Sequence, residues 1–430
     1  MNKNIHTWYK VIGVLLLVSL IVSVLPGCSG TSTAPVPNSS EKNLKLGLYL
    51  CYTGALAAHA SGVSDGMRDK MLWTNKQGGL EYKDPKTGKT EKVNLDVIWE
   101  DTAYDAAKGA AIYKRFKANG VQMIAGYGST PGEVMAPTAS RDKIPVFCIY
   151  GYCSPAGYDP KPQYYMAALS SVTADYMWGA NWFVDNWKGD RPPKLGLLCM
   201  DVPSWRTVDG PKGAPARVAA LGAEWVGMRW APASTTDLSV ELKDLVIDKK
   251  ADYLAIFAAA HVATVALTGM SNLGIDLAKT SVMFSGCTLD ESICKLSPKE
   301  TENAYVETFV ALPTDDVPGV KTAKEIAAWR GRGEGRFTRN YVEGIGCSYL
   351  VEAVIREALQ KVGYDALTPT DIRDAFANMK DVQVDGMMPS IGRGTPDFPS
   401  VFLWQRPSRI KSSQFTAAGD WSKTTPIKDW

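Results

Sequence analysis

Histidine is scarce in this chain, with 3 in 430 residues, so a reaction centre or metal site built on imidazole has almost nothing to draw on. Charge of one sign is missing too. Lys and Arg number 47 against 45 Asp and Glu, a formal net charge of +2 with no basic block, which excludes the electrostatic footprint of a nucleic-acid binder. The first apolar run, Val11–Leu25, is 15 residues long and falls short of the roughly 20 that a membrane-spanning helix needs. There is no phosphate-cradling Walker loop and no dinucleotide fingerprint in the first strand–helix turn. A nucleophile elbow around Ser129 would need glycine at 127 and 131, where the chain has Tyr127 and Pro131. No repeat of 20–50 residues is evident. Gly331-Arg332-Gly333-Glu334-Gly335-Arg336 follows no strand and is interrupted by arginines, so it reads as a surface loop.

What is present is an ordinary globular composition, 45% hydrophobic and 21% charged, long enough for two to four domains. Lys3 and Lys10 precede the apolar run, and Leu25-Pro26-Gly27-Cys28 follows it. This order is that of an export signal. The box before Cys28 resembles the bacterial lipoprotein cleavage site, in which the cysteine is lipidated and becomes the new N-terminus. Residues 1–27 are then a signal peptide, and 28–43 carry the lipid and a Ser/Thr/Pro/Asn-rich tether. Acyl chains on Cys28 would hold the protein at a bacterial membrane, facing the periplasm or the cell exterior, without a spanning helix. Seven cysteines remain after Cys28, an odd number. Outside the cytoplasm disulfides are permitted, and Cys287 with Cys294 is the expected local pair. Cys148 and Cys153 offer a second pair or half a metal site, and no His/Cys cluster completes the metal reading, so no metal and no cofactor is expected.

From Leu44 the pattern alternates. Strand-period segments at 44–50, 93–99, 121–125 and 145–149 are separated by helix-period segments, and a second run of the same kind extends from Val172 to Phe284. Such alternation gives parallel sheets covered by helices. Two runs give two Rossmann-like α/β lobes. Further helices are expected at 323–330, 349–362 and 370–379, and a late strand at 402–404.

In open α/β sheets ligands lie beyond the carboxyl ends of the strands. The loops there contain Tyr52, His59, Tyr127, Ser129, Thr130, Tyr150, Tyr152, Trp205 and His261. Ser129 and Thr130 stand at a helix start, where they either bind an anionic group or simply cap the helix. Trp205 sits in Val202-Pro203-Ser204-Trp205, a loop with no periodic reason for a large apolar side chain. His261 either lines the cleft or begins a helix facing solvent.

These residues carry a family resemblance. Leu46-Gly47-Leu48, Thr53-Gly54, Gly78-Gly79, Glu100-Asp101 with Asp105 and Lys108, Gly126 with Ser129-Thr130, Ala136-Pro137 and Ile144-Pro145-Val146 occur in the order and spacing of the leucine/isoleucine/valine-binding proteins. Those are type I periplasmic solute-binding subunits of ABC importers. The resemblance implies two lobes joined by a three-strand hinge, with crossings near Met166, Leu312 and Val384. Lobe 1 would be 44–165 plus 312–383, and lobe 2 166–311 plus 384–430. It implies a small organic solute between closing lobes, permease subunits as partners, no nucleic acid and no enzymatic activity. Carried over, the ligand-binding set is His59, Ser129, Thr130, Tyr150, Tyr152, Trp205, His261 and Cys287. The family's second-lobe tyrosine falls at Ala260, and its ammonium-binding acid falls near Gly286-Cys287, where there is no carboxylate. A buried ammonium without an acid is costly, so the solute is expected to lack one and to be an aromatic or aliphatic carboxylate, or an amide. Two other readings are a sensor or receptor of the same fold, which genomic proximity to a permease would separate, and an exported hydrolase using Ser129 or a cysteine.

Overall fold

The computed structural model describes residues 42–152, 154, 163–392 and 401–427. The signal segment, the tether, Cys28 and Cys153 lie outside the described residues. No described helix is long and apolar enough to cross a membrane.

Fourteen strands are described. The first sheet contains β1 (Asn43–Leu50), β2 (Leu80–Lys83), β3 (Thr90–Asp101), β4 (Met123–Tyr127), β5 (Val146–Tyr152) and β6 (Tyr165–Leu169), in the spatial order β2-β3-β1-β4-β5-β6. All neighbours are parallel except β2, which returns antiparallel along β3. The second sheet contains β7 (Lys194–Met200), β8 (Glu224–Ala231), β9 (Tyr253–Phe257), β10 (Ser281–Phe284), β11 (Tyr305–Thr308), β12 (Trp404–Lys411) and β13 (Gln414–Ala417). Its order is β13-β12-β11-β10-β9-β7-β8, and β14 (Ser422–Lys423) pairs with β12. The strands β7 to β11 run parallel, and β12 is antiparallel to β11. The α/β class with two parallel-strand sheets is therefore as expected.

Burial explains the strand pattern. β4, β5, β6 and β9 are buried at every position, as strands covered by helices on both faces must be. The helix Ala106–Ala118 starts where Asp105 accepts the Lys108 amide at 2.7 Å and ends before Gly120, whose φ of +71° few other residues adopt.

Three differences bear on the site. The strand β6 completes the first sheet, so the chain leaves it after Leu169, slightly beyond Met166. The helix expected from Tyr349 begins at Arg339 and packs along the helix Ala57–Lys76. Cys287 and Cys294 are both free thiols. Asp290 caps the helix Glu291–Leu296 by accepting the Ser292 and Ile293 amides, which turns Cys294 into the core while Cys287 stays in the preceding turn.

Candidate functional site

A cavity of about 30 Å³ lies between the two sheets. Its lining residues all stand at or just beyond the carboxyl end of a strand. Leu56 follows β1, Tyr104 follows β3, and Tyr127, Gly128 and Ser129 end β4. Tyr150, Gly151 and Tyr152 end β5, and Leu169 ends β6. The second sheet contributes Trp205 after β7, Ala259 after β9 and Cys287 after β10. Such a volume holds little more than a water molecule, so an organic solute fits only when the walls from the two sheets part.

Local backbone geometry sets the aromatic wall. After β3, Ala103 and Tyr104 adopt φ of +51° and +58°, conformations uncommon for side chains with a Cβ, and this turn carries the Tyr104 ring to the cavity. Gly128, at φ +96°, answers it: a Cβ there would stand 2.5 Å from that ring. In β5 the register shifts between Cys148 and Tyr152, a bulge that turns successive residues toward the cavity. Gly151 is required at that bulge because a Cβ would come 2.2 Å from the Cys148 sulfur. Tyr127 and Tyr150 stack at 5.1 Å, and Tyr152 meets Trp205 edge-on at 5.7 Å.

The hydroxyls of these tyrosines are engaged within the protein. Burial pushes Tyr127, Tyr150 and Tyr152 well above the ordinary phenol range, so all three stay neutral. His59, 2% exposed, stands behind the wall with Nδ1 3.0 Å from the Tyr127 hydroxyl and Nε2 3.2 Å from that of Tyr150. Asp175, close enough to Tyr152 to raise its phenol further, accepts from Gln405 Nε2 at 2.7 Å. The Ser129 Oγ accepts the Tyr152 amide at 3.1 Å. Trp205 differs: it is 5% exposed, and its Nε1 has no hydrogen-bond partner among the described residues.

Two buried acid groups flank the wall. Glu343 is fully buried, faces Arg339 Nη1 at 2.7 Å and approaches His59 Nε2 and the Tyr150 hydroxyl, each at 3.5 Å. Arg339 donates in turn to the carbonyls of Gly286 and Glu307 at the ends of the second sheet's strands. Asp175 and Glu307 form the other group. Burial pushes Asp175 up to about 7, against the hydrogen bond from Gln405. Glu307 is raised well above the ordinary range by burial and then by Asp175.

Of the expected residues, the structure brings Ser129, Tyr150, Tyr152, Trp205 and Cys287 to the cavity. Burial pushes the Cys287 thiol up to about 11, and its sulfur lies 3.4 Å from Ser285 Oγ. His59 stands behind the lining, bonded to Tyr127 and Tyr150, and Thr130 is not among the residues that line the cavity. His261 is not brought to the site: at the start of the helix Ala260–Asn272 it turns away and its Nε2 lies 2.6 Å from the Ala233 carbonyl. Sequence reasoning missed Tyr104, Arg339 and Glu343. Tyr104 follows a strand end, which was its only signal. The i,i+4 spacing of Arg339 and Glu343 is a signal only once a helix is known to begin there.

Comparison with known proteins places the fold. A family model described as "Periplasmic binding protein" matches residues 43–399. No curated protein matches the sequence. Among solved structures, a branched-chain amino acid ABC transporter protein from Thermus thermophilus with bound valine is 16% identical, with a TM-score of 0.71 over 89% of this chain and 97% of that one. A solute-binding protein from Rhodopseudomonas palustris BisB5 in complex with 3,4-dihydroxybenzoic acid is 19% identical, with a TM-score of 0.68 over 90% and 99%. A fatty acid ABC transporter substrate-binding protein from Thermomonospora curvata is 16% identical, with a TM-score of 0.71 over 90% and 94%.

Proposed function

The chain belongs to the periplasmic binding protein family, and from that premise we propose that it is the solute-binding subunit of an ABC importer, exported and lipid-anchored through Cys28. Its solute is a small organic carboxylate or amide with a flat, ring-bearing body. The observation that carries this reading is the cavity between the sheets, walled by four tyrosines and by Trp205, whose indole N–H has no partner among the described residues. Buried donors without partners are rare, and one placed in a cavity wall suits an acceptor on a ligand. Stacked and edge-on rings suit a planar group.

Closure follows from the same arrangement. A solute touching Tyr104 and Tyr150 on one side and Trp205 on the other gains its full contacts only when both walls meet it. Binding energy is thereby converted into a closed form that permease subunits can recognise. The chain crosses between the sheets after Leu169, near Leu312 and near Val384, and these segments form the hinge.

The test is calorimetric titration of the full chain with valine, benzoate, 4-hydroxybenzoate and octanoate. We expect a ring-bearing acid to bind saturably and Trp205→Phe to weaken it about tenfold, equivalent to roughly 1.4 kcal/mol. Equal affinity in the wild type and Trp205→Phe would remove Trp205 from the site. Binding of valine alone would replace the ring-bearing acid with an amino acid.

A further inference from the structure

The hydroxyl groups of Tyr127 and Tyr150 lie behind the cavity wall that their rings form. Both rings line the cavity and stack on each other at 5.1 Å with planes 17° apart. Their oxygens meet at His59, where the Tyr127 oxygen is 3.0 Å from Nδ1 and the Tyr150 oxygen 3.2 Å from Nε2. His59 is 2% exposed and is not among the lining residues. Glu343, paired with Arg339, is buried beside His59 and does not line the cavity either.

This arrangement does not depend on how the imidazole is protonated. A neutral ring donates through one nitrogen and accepts through the other, a charged ring donates through both, and a phenol can do either. In each case both oxygens stay bonded to the ring. His59 comes from the helix Ala57–Lys76, Tyr127 from β4 and Tyr150 from β5. All three belong to the first lobe, so they move as one body when the walls part, and what they present to the cavity is ring carbon. On the other wall, Trp205 Nε1 is the one buried side-chain nitrogen or oxygen of the lining without a partner among the described residues. A solute is thus offered an unpartnered donor by one wall and an apolar stack by the other.

We propose that His59 is a positioning residue that sets solute specificity: by holding the Tyr127 and Tyr150 hydroxyls behind the wall, it makes the tyrosine stack an apolar face. Resting on the solute-binding reading above, this narrows the solute to an aryl carboxylate or amide. Its polar group is an acceptor directed to Trp205, and its ring carries no hydroxyl or amino group. A ring hydroxyl laid against the stack would give up water and gain no partner there, which is costly in a buried site.

Calorimetric titration of the full chain with benzoate, 3-hydroxybenzoate and 4-hydroxybenzoate reads the preference directly. Benzoate is expected to bind at least tenfold more tightly than either hydroxylated acid. Equal or tighter binding of a hydroxylated acid overturns this proposal and leaves the solute-binding reading standing. No binding by any of the three overturns the ring-acid reading, and this proposal with it. Two variants then test the ring face: Tyr150→Phe keeps the ring without its hydroxyl, and Tyr150→Leu removes the ring. The leucine variant should bind benzoate at least tenfold more weakly than the phenylalanine variant, and equal affinities in the two overturn the proposal. In His59→Leu both phenols lose their buried partner and their rings are free to turn, so the preference for benzoate should fall toward unity. An unchanged preference overturns the role of His59. Should this variant fail to fold, the three-acid comparison and the Tyr150 pair still decide.

Discussion

Asp175 combines structural cost with a place beside the site. Its carboxyl is buried beneath Tyr152, and its ordinary value of 3.8 is raised to about 7. The folded chain therefore holds a proton there that the unfolded chain releases between roughly pH 4 and 7. Stability should be greatest at the acid end of that window and fall as pH rises, by about 1.4 kcal/mol per pH unit for one proton. Denaturant unfolding at pH 5 and 7 tests this, and Asp175→Asn should make the slope shallower while the proton on Glu307 keeps part of it; an unchanged slope would place the proton elsewhere. Cys287 gives a second prediction at this scale. Because Cys287 and Cys294 are separate thiols, reductant should leave the unfolding midpoint unchanged. A fall of several degrees would reveal a disulfide, which typically contributes 2–4 kcal/mol.

At the scale of elements, the first lobe depends on two helices that cross closely. A Cβ on Gly66 in the helix Ala57–Lys76 would stand 2.2 Å from the Tyr341 carbonyl, and one on Gly344 would stand 2.1 Å from that of Val63. Near this crossing, buried Asp69 accepts from Arg330 Nε at 3.0 Å, Arg332 Nε at 2.8 Å and the Tyr341 hydroxyl at 3.2 Å. The Gly/Arg-rich loop is thus tied down at Arg332. Gly66→Ala should destabilise the chain by about 1–3 kcal/mol in denaturant unfolding through overpacking. Gly222, at φ +73° in open space, supplies the comparison, and its alanine variant should cost about 1 kcal/mol through backbone strain alone. Equal small effects would mean that the helices yield at the crossing.

The same helices show where the sequence was readable and where it was not. Strands such as β1 and β9, and the helix Ala106–Ala118 with its Asp105 cap, were legible because apolar period and capping residues agree. The helix Arg339–Val362 was read ten residues short. Its first turns bury Arg339, Asn340 and Glu343, polar residues in core positions that erase the apolar stripe. The strand β12 was obscured likewise by buried Gln405, Arg406 and Ser408. The five residues of β6 are apolar and buried throughout, so they carry no alternation to mark a strand. Aromatic site residues at strand ends were legible from topology. Glu343 and Asp175 were not, because their roles arise from neighbours distant in sequence.

For the whole molecule, the two sheets direct their strand ends to one cavity, and its walls come from both. The present volume of about 30 Å³ means that solute entry and wall separation are one event. A bound solute then stabilises the folded chain by mass action, by about 2.7 kcal/mol at 100 times its dissociation constant. For a chain of this length that is a shift of a few degrees. The most direct measurement is thermal unfolding of the full chain against a panel of ring-bearing acids, hydroxy and amino acids, amides and fatty acids at millimolar concentration. The account predicts a concentration-dependent rise for ring-bearing carboxylates or amides, and a smaller rise in Trp205→Phe. No rise with any of these solutes, or a rise of the same size in Trp205→Phe, would contradict it.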